Sequence, residues 1–190
     1  MKPSPIRLKK LNALLSLAAL LLLAIHLSYE LFSYLTFYYN PVMTNIIAYT
    51  FMGLAAAHGL LSVLILVRKH DGSALGVYPS ANLRTILQRA SAGLIVVLLP
   101  VHVKTGDWIA NHAGGEWLLW LLIILQLLFW GAVLTHIAVS FTRALISLGV
   151  LQSTKTQRVL DLILWILCAA AFAVSCVIII KTQIFLFHMH

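Results

Sequence analysis

The chain has 190 residues, 62% of them hydrophobic and 9% charged, with a mean hydropathy of +0.99 and a net charge of +8. A soluble domain carries about 25% charged residues, so the composition excludes one. The basic residues punctuate the ends of apolar runs instead of gathering on one face, which argues against a nucleic-acid partner. A membrane-spanning helix needs about 20 apolar residues. The whole chain, 1–190, therefore reads as a single all-α integral membrane domain of five transmembrane helices with short loops.

Helix 1 is expected over about 11–35. Its basic N-terminus resembles a signal peptide, but no small-residue cleavage site follows and the run is of spanning length, so a retained helix is expected. The aromatic turn Phe37-Tyr38-Tyr39-Asn40-Pro41 ends it, with proline as the stop. Helix 2 is expected over about 44–67, stopping at Arg68-Lys69-His70-Asp71-Gly72. A loop holding Gly72, Gly76, Pro79 and Ser80 leads to helix 3, about 83–103. A polar connection from Lys104 to Gly115 carries Trp108. Helix 4, about 116–148, is longer than a bilayer requires and should tilt or protrude. Helix 5 is expected over about 157–187. Cys168 and Cys176 share that helix, too far apart to bridge each other, and read as packing residues.

Lys and Arg set the expected orientation. Eleven of thirteen lie at the N-terminus, in the 68–89 region or in the 143–158 region; only Lys104 and Lys181 fall on the other side. By the positive-inside rule the N-terminus is cytoplasmic, in the inner (cytoplasmic) membrane of the cell, and His188-Met189-His190 lies outside.

Four of the eight histidines fall within spans, one each on helices 1 to 4: His26, His58, His102 and His136. An ionisable group inside a span is a functional-site candidate. Counting from the nearest cytoplasmic cation at 1.5 Å per residue, His26 lies about 24 Å deep and His102 about 20 Å. The same count gives about 15 Å for His58 and about 10 Å for His136. His26 with His102 forms an outer level, and His58 with His136 an inner one. Haem iron takes two axial ligands on opposite porphyrin faces, so two imidazole pairs from different helices suit two bis-histidine haems stacked across a four-helix bundle. Zinc fits less well, because no acid or cysteine completes a tetrahedral set.

Gln88, Arg89 and Ser91 are candidate donors to haem propionates. Ser62 and Ser140 follow His58 and His136 at His-x-x-x-Ser spacing and are candidate donors beside those imidazoles. Ala55, Ala56, Ala57, Gly59, Gly131 and Ala132 leave room for a flat macrocycle or for close helix packing. His70, His112, His188 and His190 read as solvated.

The segments Asn82-Leu83-Arg84, Leu87-Gln88-Arg89-Ala90-Ser91-Ala92-Gly93 and His102-Val103 resemble helix 3 of a known family. It is the five-helix, dihaem cytochrome b anchor of succinate dehydrogenases and fumarate reductases. His136-Ile137-Ala138, Leu148-Gly149 and Gln157-Arg158 resemble its fourth helix and the loop into the fifth. Helix count, histidine placement, orientation and length agree as well. The chain departs from the family pattern in two places. Ser91-Ala92-Gly93 is one residue longer than the usual Thr-Gly pair, and Ser140-Phe141-Thr142 replaces the small and aromatic residues expected after the fourth-helix histidine.

The resemblance implies respiratory complex II chemistry of the tricarboxylic acid cycle: electron transfer between a flavoprotein and iron–sulfur subunit pair on the cytoplasmic face and a quinone, menaquinone or another, in the membrane. It implies two b haems, the inner bound by His58 and His136 and the outer by His26 and His102. Quinone chemistry also needs a proton exchanger. Glu30, one turn outward of His26, is the candidate, with Tyr29, Tyr34 and Trp108 as possible walls. Asp107 and Glu116 read as solvated, and Asp161 as a cap or partner of Arg158. Two other readings stay open: an anchor for another dehydrogenase such as a hydrogenase, and a haem-free small transporter or assembly protein using its histidines for protons or ions.

Overall fold

The structure, a computed structural model, describes residues 5–36, 38–68, 79–111 and 114–189. Among these residues it is all-helical: α1 (Pro5–Thr36), α2 (Pro41–Arg68), α3 (Pro79–Ala110), α4 (Gly115–Leu148) and α5 (Thr154–Met189). Each helix is long and apolar enough to cross a membrane, as expected of a five-span membrane protein. Two compact units emerge. The first holds α1, α2 and residues 143–152; the second holds α3, α4 as far as Thr142, and α5.

The helix starts correct the sequence reading. Pro41 does not stop helix 1; it opens α2, and Pro79, expected in a loop, already lies in α3. Proline suits the first helical position because its φ is already helical and its missing N–H had no partner there. Asn40 caps α2, its Oδ1 accepting the N–H of Val42 at 3.1 Å and of Met43 at 3.2 Å. Helix α3 also runs past Val103 to Ala110. The polar residues 104–110 coil because they carry a buried stripe, Thr105 and Ile109, while Lys104 and Asp107 pair at 3.1 Å on the exposed side. Thr105 Oγ1 donates to the Val101 carbonyl at 2.7 Å, one turn back.

In the first unit, α1 and α2 pack as an antiparallel hairpin. At the connecting end the Tyr29 hydroxyl accepts the Asn40 N–H at 2.9 Å and donates to the Asn40 carbonyl at 3.3 Å. At the other end Asn12 and Ser62 form a reciprocal pair: Asn12 Nδ2 donates to Ser62 Oγ at 3.0 Å, and Ser62 Oγ donates to Asn12 Oδ1 at 3.3 Å. No described residue of α2 is buried.

The second unit is built on α4. Its core cluster is Ile109 of α3 with Leu119, Leu122 and Ile123 of α4, packed against Ile180, Ile184 and Phe187 of α5. Spacing of three and four residues puts the α4 side chains on one stripe. Farther along, one charged residue joins all three helices. Arg84 of α3 grips Asp161 of α5 with both terminal nitrogens, at 2.7 and 2.9 Å, and donates Nε–H to the Val139 carbonyl of α4 at 2.9 Å. Thr142, fully buried, accepts from Arg84 and donates to Asp161 Oδ1 at 2.7 Å. Asp161 thus pairs with Arg84 across helices, not with Arg158 on its own helix as the sequence suggested. Neighbours along a helix are easy to see in a sequence; partners on another helix depend on packing register.

Helix α4 ends at Gly149, whose φ of +81° is open to glycine at little cost. The Gly149 N–H reaches the Ile146 carbonyl and the Val150 N–H reaches that of Leu145, both at 3.0 Å. Helix α3 contains Pro100, whose lack of an N–H leaves the Val96 carbonyl without its usual helical partner. Cys168 is buried and Cys176 partly buried, both as free thiols.

Candidate functional site

Each unit carries two of the four span histidines, at separate levels. In the first unit His58 of α2 is level with Asn12 of α1: its Nδ1 stands 3.2 Å from the Asn12 carbonyl oxygen. His26 lies fourteen residues farther along α1, about 21 Å away along the axis. In the second unit His136 of α4 is level with Gln88 and Ser91 of α3, its Nδ1 3.2 Å from both the Gln88 carbonyl and Ser91 Oγ. His102 of α3 is level with Gln126 of α4, ten residues or about 15 Å from His136. Both units therefore have two storeys, with wider gaps than the depth count suggested. The cations used as depth marks do not share a plane: Lys10 is nearly level with His58, and Arg89 with His136. Each lies ten or seven residues, respectively, from the cation on its own helix.

The contacts at Nδ1 decide the tautomers. A backbone carbonyl oxygen only accepts, so in the neutral ring His58 Nδ1 and His136 Nδ1 carry the proton. For His102 the partner is an amide: Nδ1 stands 2.8 Å from Gln126 Oε1, while Gln126 Nε2 lies 3.3 Å from the His102 carbonyl. That carbonyl requires the NH2 group on its side, which places Oε1 against the ring and the ring proton again on Nδ1. In all three the lone pair then falls on Nε2, the nitrogen that binds a metal when Nδ1–H is held by an oxygen. His26 Nδ1 faces the Glu30 carboxylate at 4.0 Å.

The His102 ring is confined by two aromatic neighbours. Phe129 stacks on its face, centroids 4.4 Å apart and 16° from parallel, and Trp130 stands edge-on at 6.4 Å. Gln126 is only 4% exposed. A cleft of about 460 Å³ opens beside the His136 level, with Leu87, Ser91, Leu94, Leu128 and Ala132 among its walls. Its size lies within the range of about 300–1,000 Å³ common for ligand pockets. A Cβ at Gly59 would meet nothing within 4 Å, and one at Gly131, which borders the cleft, would make ordinary contact with the Phe172 ring at 3.5 Å.

The other expected residues divide as follows. Ser91 is buried; it donates to the Gln88 carbonyl at 3.2 Å and touches His136, so it steadies the histidine. Arg89 is exposed on the same turn as Gln88. Ser62 belongs to the Asn12 cluster that holds His58, while Ser140 Oγ is buried with no hydrogen-bond partner among the described residues. Tyr29 fastens the α1–α2 turn, Glu30 is partly exposed, and Trp108 lies on α3 in the second unit, not in a loop. The Tyr34 side chain and His70, His112 and His190 lie outside the described residues. His188 Nδ1 contacts its own helix at the Ile184 carbonyl, 2.8 Å away. Within either unit, among the described residues, no three His, Cys, Asp or Glu side chains gather as a metal set; a bis-imidazole site needs only two ligands.

Sequence reasoning passed over Asn12, Gln126 and the Arg84–Asp161–Thr142 network. Gln126 had a signal: it is the single polar residue in the apolar run from Trp117 to Leu134. Comparison with protein-family models, curated proteins and solved structures found no match.

Proposed function

We propose that the chain is the membrane-anchor cytochrome b subunit of a succinate:quinone or quinol:fumarate oxidoreductase, passing electrons through two b haems. The observation that carries this reading is the uniform setting of three span histidines. His58, His102 and His136 each hold Nδ1 against an oxygen of the neighbouring helix, which leaves Nε2 as the basic nitrogen. A histidine serving only as a hydrogen-bonding group has no need of the same tautomer at three places and two levels.

A neutral imidazole with its proton held at Nδ1 is the donor chemistry that haem iron takes. His58 and His136 would hold the inner haem, and His26 and His102 the outer. When bound, the haems supply one-electron carriers between a soluble donor and a membrane quinone. Arg89, exposed at the His136 level, would meet a propionate, with Gln88 and Ser91 supporting His136. Glu30, with Tyr29, Tyr34 and Trp108 as candidate walls, would exchange protons with menaquinone or another quinone near the outer haem. The basic N-terminus and the 68–89 and 143–158 regions would face the cytoplasm and dock the iron–sulfur subunit, which carries the flavoprotein.

Reduced-minus-oxidised spectra of the purified complex, with pyridine haemochrome quantitation, test the reading. Two b haems per chain, and co-purification of a flavin-bearing, dicarboxylate-converting subunit, are expected. One haem or none defeats the dihaem assignment. Two haems with a hydrogenase as companion moves the chain to another dehydrogenase.

A further inference from the structure

The His102 clasp is made by a side chain alone, whereas that of His58 is made by the main chain and that of His136 by a main-chain carbonyl together with Ser91 Oγ. Gln126 binds His102 twice, through Oε1 at the ring Nδ1–H and through Nε2–H at the residue's own carbonyl. The two contacts form a closed loop between α3 and α4, and only one amide orientation satisfies both. Phe129 packs on the ring face and removes rotation about the Cβ–Cγ bond as a free variable. A buried amide in an apolar helix is costly unless paired, and here its oxygen and nitrogen each meet a partner on His102.

We infer that Gln126 is a positioning residue that sets the electron affinity of the haem bound by His102. This rests on the dihaem reading above. A ring whose Nδ1–H is donated to an oxygen becomes a stronger base at Nε2. A stronger base stabilises the ferric state and lowers the midpoint potential. Weakening the acceptor raises the potential of that haem alone, because His136 keeps the Gln88 carbonyl whatever occupies position 126.

The test is a potentiometric titration of the full chain with its partner subunits, for wild type, Gln126→Leu and Gln126→Glu. Gln126→Leu is expected to raise one midpoint potential by about 59 mV, a tenfold change in the reduced-to-oxidised ratio of a one-electron couple, with the other potential unmoved. Gln126→Glu, which retains an acceptor oxygen, leaves that potential at or below the wild-type value. Two unchanged potentials in Gln126→Leu, or two that move together, overturn the inference. A second measurement does not depend on haem: nitrogen-15 spectra of histidine-labelled, haem-free protein in bilayers. They should place the His102 proton on Nδ1 in wild type and release that preference in Gln126→Leu. Wild type without haem but with this tautomer shift refutes the dihaem reading and leaves the clasp intact. Wild type that binds two haems, but whose haem-free form carries the His102 proton on Nε2, refutes the clasp.

Discussion

The two units hold their histidines differently. In the α1–α2 hairpin His58 rests on a main-chain oxygen, that of Asn12, in a unit whose second helix buries no described residue. In the α3–α4–α5 unit one histidine, His136, rests likewise on the Gln88 carbonyl, but His102 rests on a buried glutamine and an aromatic face. A carbonyl clasp is written in helix register: any residue there offers the same oxygen, and only a shift of the helices removes it. A side-chain clasp can be removed by one substitution. The first kind resists mutation and the second can be tuned, and both occur within 15 residues of α3.

The contrast can be broken most completely at the proposed haem ligands. His136→Ala should reduce the haem content from two to one per chain by pyridine haemochrome, whereas Gln88→Ala, which keeps the carbonyl, should retain two. Next in size is the joint of the second unit. Arg84→Ala leaves the Asp161 carboxylate without its cation and should destabilise that unit by about 3 kcal/mol in an unfolding titration. Replacing both partners with leucine should recover much of the loss, since an unpaired charge costs more than an absent pair. The hairpin has weaker fastenings: Tyr29→Phe removes two hydrogen bonds at Asn40 and should cost about 1 kcal/mol. The smallest effect sharpens the comparison most. Asn12→Ala should lower stability by about 1 kcal/mol through loss of the Ser62 pair, yet leave both haem potentials in place, because the Asn12 carbonyl remains. A potential that moves in Asn12→Ala would erase the distinction between the two kinds of clasp.

Much of this arrangement is legible in the chain itself. Spans are visible because a bilayer demands apolar length, and the ends of α4 and α5 fall close to where capping chemistry puts them. The prolines misled, because Pro41 looks the same whether it ends one helix or begins the next; Asn40 before it carries the cap that decides. The histidines stood out as ionisable groups in apolar runs. Their partners did not, because Asn12 and Gln88 contribute main-chain oxygens that every residue has. Asp161 found Arg84 instead of Arg158 for a related reason: the contact depends on how three helices pack, which spacing along one helix does not encode.

Pro100 has a mechanical consequence. With no hydrogen bond from residue 100 back to Val96, α3 can bend there without giving up another rung of its ladder. The proline lies between the turn that supports His136 and the turn that bears His102. The missing rung divides α3 into two rods, one offering the Gln88 carbonyl to His136 and the other bearing His102, so the two histidine settings need not share one straight axis.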